Sequence, residues 1–196
     1  MNRKIFDQYR ELLLRWNETY NLTSITDPEE IQIKHFEDSL AVLPFLPAKG
    51  RLLDIGSGAG FPGIPIKIER PELEVVLLDS QRKRTDFCRE VVRQLCLKDI
   101  IVSHGRIEDE AVCQRLGLFD VVISRATFPL EKFLETALPY CAPLGGIVVM
   151  RGSEWKKELA AATIPKSLRL IQEHPYTLRN DMGSRAILVF QKVGES

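Results

Sequence analysis

Residues 51–63 read Arg51-Leu-Leu-Asp54-Ile-Gly56-Ser-Gly58-Ala-Gly60-Phe61-Pro-Gly63. The apolar run to Ile55 has the composition of a buried strand interrupted by the carboxylate Asp54, and glycines at every second position then allow a tight turn bare of side chains. A ligand can approach such a backbone closely, so the stretch predicts a nucleotide-binding corner. Outward from it, apolar runs alternate with helical periods, as a parallel sheet covered on both faces requires. Strands are expected near 51–55, 74–79, 99–103, 119–124 and 145–150, with helices near 62–70, 81–96, 107–115, 129–140 and 153–161. Two more strands, about 168–174 and 185–192, are joined by Pro175 to Ser184. That connection is too short for a helical crossover, so the last pair should be antiparallel.

Upstream of the corner the chain reads as helical. Ile5, Tyr9, Leu12, Leu13 and Trp16 recur at three- and four-residue steps and predict an amphipathic helix over 3–19. A second helix should start where Asp27 caps, Pro28 fits the first turn and Glu30 completes a capping box, and run to about Leu43. On that helix His35, Asp38 and Ser39 share one face and Ile33, Phe36, Leu40 and Leu43 another. The organisation is thus an N-terminal helical extension over 1–48 and a sheet-bearing unit over 49–196.

At 196 residues one well-buried core is expected, and 27 basic residues against 27 acidic ones leave no global field for nucleic acid or an anionic membrane. Any such partner must meet a local patch. Cys88, Cys96, Cys113 and Cys141 lack metal-ligand spacing and read as reduced, buried thiols of a cytoplasmic protein. No stretch has the length of a membrane span, and a monomer with no metal is expected.

Two readings compete for the glycine corner. Gly58 to Gly63 fits a dinucleotide fingerprint with Asp79 placed for a ribose hydroxyl. Asp54-x-Gly56-x-Gly58-x-Gly60 resembles instead the first motif of S-adenosylmethionine-dependent methyltransferases. Pro62 and Pro65 favour the second, because they remove N–H donors that a pyrophosphate would use at a helix start. The outline is then a Rossmann-like class I methyltransferase fold: a seven-stranded mixed sheet with an antiparallel C-terminal strand, plus the helical extension. Ligands in such sheets sit outside the carboxyl ends of the strands. Those ends supply Phe61 as a pocket wall, Asp79 for ribose hydroxyls, and Ile107 with Glu108 for an adenine edge. The fourth supplies Ser124, Arg125 and Ala126, where the methyl group and its acceptor are expected. A structural salt bridge for Arg125 is the competing reading. This fourth end has neither an Asn/Asp-Pro-Pro-aromatic motif nor a nucleophilic cysteine. An acceptor that already carries a lone pair, such as guanine N7, is therefore expected, with the protein contributing orientation and electrostatics.

Leu14-Arg-Trp16-Asn17-x-x-Tyr20-Asn21-Leu22-Thr23, Lys34-His35-Phe36-x-Asp38-Ser39-Leu40, the Asp54–Pro65 loop, Leu77-Leu78-Asp79-Ser80 with Lys83, Arg84 and Phe87, and Ile123-Ser124-Arg125-Ala126 together resemble the glucose-inhibited division protein B family over nearly the whole chain. The resemblance implies methylation of N7 of a guanine in the decoding-region stem-loop of 16S ribosomal RNA, free or in the small ribosomal subunit. It also implies S-adenosylmethionine as donor, S-adenosylhomocysteine as product, and cofactor contacts at Gly56, Phe61, Ile107, Glu108 and Arg125. Gly58 and Asp79 join these on physical grounds. Catalytic roles are expected of Arg125, Ser124, His35 and Asp38, and RNA contact of Arg82, Lys83 and Arg84. The alternatives are a small-molecule methyltransferase of the same fold, a nicotinamide-dependent oxidoreductase, and a non-catalytic RNA-binding protein.

Overall fold

The computed structural model describes residues 2–125 and 128–193. Its seven strands are β1 Gly50–Ile55, β2 Leu73–Asp79, β3 Ile100–His104, β4 Phe119–Arg125, β5 Cys141–Arg151, β6 Leu168–Thr177 and β7 Ser184–Lys192. They form one sheet in the order β3-β2-β1-β4-β5-β7-β6. The first five are parallel, and β7 runs antiparallel to both β5 and β6. Strand order reverses between β1 and β4, so the crevice of a doubly wound sheet falls between Gly56 and Arg125.

Side-chain alternation sorts the strands between two cores. Leu52, Val75, Leu77, Val121, Ile123 and Met150 face Phe6, Tyr9, Leu13 and Phe36 of the N-terminal helices and Phe87 of the helix Arg82–Gln94. Leu53, Ile55, Val76, Leu78, Val122 and Val149 face the helices Glu110–Leu116, Leu130–Ala137 and Trp155–Ala161 on the other side. The N-terminal helical segment therefore packs on one face of the sheet, beside the helix Arg82–Gln94.

Of the four thiols expected to be buried, Cys96 is exposed and Cys113 half-buried. Three elements also depart from expectation. β6 runs on to Thr177 because Pro175, Tyr176 and Thr177 pair with β7. β5 begins at Cys141 rather than near 145, because its register against β4 jumps from Phe119↔Cys141 to Val121↔Gly146 and the intervening residues bulge out, with Leu144 in the left-handed region. The second helix starts as predicted, Asp27 Oδ1 accepting the Glu29 and Glu30 N–H groups at 3.0 and 2.9 Å. Glu30, however, turns its carboxylate to Lys34 Nζ at 2.6 Å. The helix then passes from α over Pro28–Ile31 into π over Gln32–Glu37 and back to α over Asp38–Leu40. Such π turns recur at functional sites.

Candidate active site

The glycine corner is tied down on three sides. Gly56 N–H donates to Leu78 O at 2.8 Å, and Gly58 N–H to Asp79 Oδ2 at 2.9 Å. Gly58 has φ +57°, a conformation a side chain would strain. The helix Gly63–Glu69 follows, and its first turn has no donor to spare. Gly63 N–H binds Asp54 Oδ2 at 2.8 Å, Ile64 N–H binds Gly60 O at 2.8 Å, Pro65 has none, and Ile66 N–H binds Pro62 O at 3.1 Å. The usual pyrophosphate position of a dinucleotide site is closed. Two buried polar atoms here, Asp54 Oδ1 and Ser57 Oγ, lack a hydrogen-bond partner among the described residues. Burial pushes the Asp54 carboxyl up to about 7, against the opposing pull of the Gly63 N–H.

A cavity of about 260 Å³ opens at the ends of β1, β2 and β3, lined by Gly56, Asp79, Arg84, Ile107, Glu108 and Phe128 among others. It joins four of the predicted cofactor residues. Asp79 is 4% exposed and already accepts the Gly58 and Gln81 N–H groups, one on each oxygen, at 2.9 and 2.8 Å. A carboxylate offers about four lone-pair positions, so each oxygen retains one for a further donor. Ile107 is held by its carbonyl, which accepts the Tyr140 hydroxyl at 2.8 Å.

Phe61 sits elsewhere than expected. Its ring is stacked by Tyr9 at 5.4 Å and by His35 at 4.5 Å, and it lines neither this cavity nor the next. It fixes the N-terminal helices against the glycine corner. Gly58 also lines neither, acting from behind through Asp79. Ser124 is fully buried and its hydroxyl donates to Ile55 O at 2.8 Å, which places it within the sheet rather than in the crevice. Strand alternation explains this, since Ser124 falls on the face opposite Ile123 and Arg125. Ala126 lies outside the described residues.

Arg125 turns toward the second helix. Its Nη1 donates to Lys34 O at 2.9 Å and to Asp38 Oδ2 at 3.2 Å, and its Nη2 meets His35 Nδ1 at 3.2 Å. The π turn makes room for this. Asp38 N–H donates to Ile33 O and His35 O, stepping over Lys34 O, which a regular α-helix would engage and which Arg125 takes instead. A guanidinium only donates, so His35 Nδ1 must accept and its proton resides on Nε2, which meets Thr23 Oγ1 at 3.0 Å. Burial, and next the Arg125 charge, push the imidazole down to about 3. His35 is thus neutral at physiological pH. Asp38 gives its other oxygen to the Tyr176 hydroxyl at 2.7 Å, and burial followed by the Asp38 charge pushes that phenol upward. Ser39 donates to His35 O inside the helix and does not reach the crevice.

His35, Asp38 and Arg125 line a second cavity of about 330 Å³ with Ile25, Lys34, Met150, Arg151, Gly152 and Arg185. Arg151 and Arg185 were not singled out in the sequence. Arg151 closes the apolar run Ile147 to Met150 as Arg125 closes Val121 to Ile123, and that parallel was the available signal.

The expected RNA-contacting run divides three ways. Arg82 is 83% exposed and approaches Asp86 at 4.0 Å, Lys83 caps the first helix at Tyr20 O (2.9 Å), and Arg84 stands 3.7 Å from Asp79 at the first cavity.

The comparisons with known proteins agree with one another. A sequence model of the GidB family, described as rRNA small subunit methyltransferase G, matches residues 2–181. The chain is similar to the ribosomal RNA small subunit methyltransferase G of Acinetobacter baumannii, 39% identical over 95% of this chain and 87% of that one. The protein of that name from Desulfitobacterium hafniense is 48% identical over 79% of this chain and 64% of its own length. Among solved structures, a putative O-methyltransferase from Klebsiella pneumoniae superposes with a TM-score of 0.66 over 95% of this chain and 90% of its own, at 15% identity. A SAM dependent methyltransferase from Aquifex aeolicus gives 0.61 over 85% and 94%, at 20% identity. These two likenesses speak to the fold alone. With a family match over nearly its full length, close relatives of one kind and the sheet order described above, the chain belongs to the GidB family of small-subunit ribosomal RNA methyltransferases.

Proposed function

We propose that this chain transfers a methyl group from S-adenosylmethionine to N7 of a guanine in the decoding-region stem-loop of 16S ribosomal RNA. The residues around the first cavity suit that donor. Asp79 retains acceptor positions for ribose hydroxyls, and Ile107 and Glu108 offer an apolar contact and an acceptor for the adenine. The unpartnered Asp54 Oδ1 and Ser57 Oγ beside Gly56 call for donors of the kind an amino-acid end carries. The closed helix start suits a ligand with no phosphate. Gly58 and Phe61 support these walls from behind, and Arg125 stands between the two cavities. When bound, S-adenosylmethionine supplies a methyl group activated by a sulfonium centre. The protein's own contribution is to orient the reactants and exclude water.

The observation that carries the choice of acceptor is the state of the second cavity. His35 is neutral with both ring nitrogens engaged, both oxygens of Asp38 are occupied, and no cysteine lines the space. Among the described residues no group there is ready to take a proton or form a covalent bond, so the fitting acceptor is one that brings its own lone pair. Guanine N7 does. His35 and Asp38 act by holding the Arg125 guanidinium, and Arg82 remains the exposed candidate for RNA contact.

The test is to incubate the protein with tritiated S-adenosylmethionine and either free 16S RNA or small subunits, and to map the label by borohydride and aniline cleavage, which reports 7-methylguanine. Label at that single site is expected. Label on a small metabolite, on an exocyclic amino group or on pyrimidine carbon 5 would overturn the proposal.

A further inference from the structure

The second cavity is more cationic than the reading above requires. Lys34, Arg125, Arg151 and Arg185 line it against one carboxylate, Asp38, which is already engaged by Arg125 and Tyr176. Lys34 is matched by Glu30 at 2.6 Å and Arg151 approaches Glu158 at 3.1 Å, but neither glutamate lines the cavity. Arg151 is only 3% exposed. Its Nη2 donates to Phe128 O at 2.8 Å and its Nε is the atom that faces Glu158 Oε2, so the guanidinium is held in place with Nη1 left over for a ligand in the cavity it lines. Arg185 spends Nη1 on the carbonyl of its neighbour Ser184 and holds Nε 3.8 Å from Asp38. Burying guanidinium groups without full partnering is costly, and fixed cations converging on one space form a site for an anion.

Two anions are candidates: the carboxylate of the methyl donor and a phosphate of the RNA. The cavity lies on the β5 and β7 side of Arg125, and no residue of the 56–63 corner lines it. That favours the RNA. So does charge, because a guanine methylated at N7 is itself a cation. Beside a wall of arginines such a product is disfavoured unless the substrate brings a negative charge with it.

We propose that this cavity binds a phosphodiester group of the RNA strand next to the target guanine, with Arg185 and Arg151 as its contacts. The inference rests on the ribosomal RNA reading given above. Arg151 also ties the phosphate site to the first cavity, since the Phe128 carbonyl it grips belongs to a residue lining that cavity.

The test uses the full chain with Arg185→Gln and the charge-keeping Arg185→Lys. RNA binding is measured across a salt series, KM for RNA by methyl transfer, and donor affinity by calorimetry. For Arg185→Gln the slope of log affinity against log salt should fall by about 1 and the RNA KM should rise about tenfold. Donor affinity should stay within about twofold, and Arg185→Lys should restore the slope. Weakened donor binding with an unchanged slope would assign the cavity to the donor carboxylate and overturn the proposal. An unchanged slope with normal methyl transfer sinks the phosphate site alone. Failure of the unaltered protein to methylate the RNA sinks the functional reading and this inference with it.

Discussion

His35 gives the most direct physical test of the site. Its imidazole is 7% exposed, faces the cations Arg125 and Lys34 and the carboxylate Asp38 through Arg125, and is pushed from 6.5 to about 3. In the unfolded chain it takes a proton below about 6.5, whereas in the folded protein it stays neutral. The folded state therefore binds fewer protons, and stability is lost as pH falls from about 6.5 toward 3. At pH 5 the unfolded side lies about 1.5 pKa units above the solution, worth about 2 kcal/mol, while the folded imidazole remains unprotonated. Urea unfolding of the natural protein and of His35→Gln at pH 8 and pH 5 should show the natural protein losing about 2 kcal/mol more than the variant. Its imidazole NMR signal, assigned by its absence from the variant, should not move between those pH values. Equal losses in the two proteins, or a His35 signal titrating near 6.5, would refute the buried, arginine-facing imidazole.

The glycine corner separates two kinds of requirement. A Cβ at Gly63 would run into Leu77 and come within 2.7 Å of Asp54 Oδ2, so Gly63→Ala should cost about 1–3 kcal/mol in denaturant unfolding through overpacking. At Gly58 the nearest atom would be 3.9 Å away and only the φ of +57° objects, so Gly58→Ala should cost about 1 kcal/mol. The reverse order would contradict the packing described. Tyr176→Phe removes the hydroxyl that binds Asp38 Oδ1 at 2.7 Å and should cost about 1.5 kcal/mol, as a bond to a charged acceptor does. A double-mutant cycle with Asp38→Asn should recover that coupling, and additivity of the two changes would disprove it.

Local chemistry in the sequence carried most of the architecture. The buried runs ending at Ile55 and Asp79, the Asp27-Pro28 helix start and the antiparallel pairing of β6 with β7 each follow from a few neighbouring residues. All appear as expected, although the link between β6 and β7 is shorter than the expected Pro175 to Ser184. What escaped is what depends on distant partners. Tyr176 and Asp38 are 138 positions apart, and nothing near either one announces the bond. Phe61 has the composition of a pocket wall but packs against Tyr9 and His35, with the Arg125 guanidinium 5.2 Å over its ring, which only the assembled fold could reveal. The π turn at Gln32–Glu37 has no local cause in its residues. It fits instead the demand of Arg125, arriving from β4, for a carbonyl the α register would have used.

That demand changes how the N-terminal segment is understood. Every protein acceptor named above for the Arg125 guanidinium, Lys34 O, Asp38 Oδ2 and His35 Nδ1, comes from the second helix. The side-chain hydroxyl meeting the far nitrogen of His35 comes from Thr23, in the connection between the two helices. The sheet alone supplies the first cavity, since its lining runs from Ile55 to Phe128. The second needs Ile25, Lys34, His35 and Asp38 as well as the ends of β4, β5 and β7. A charged strand end of the kind any doubly wound sheet can carry is held here by the second helix, with the Phe61 ring of the glycine corner 5.2 Å from its guanidinium carbon. On the function proposed above, the segment before the sheet is thus the part of this fold that would add an acceptor side to a generic cofactor crevice.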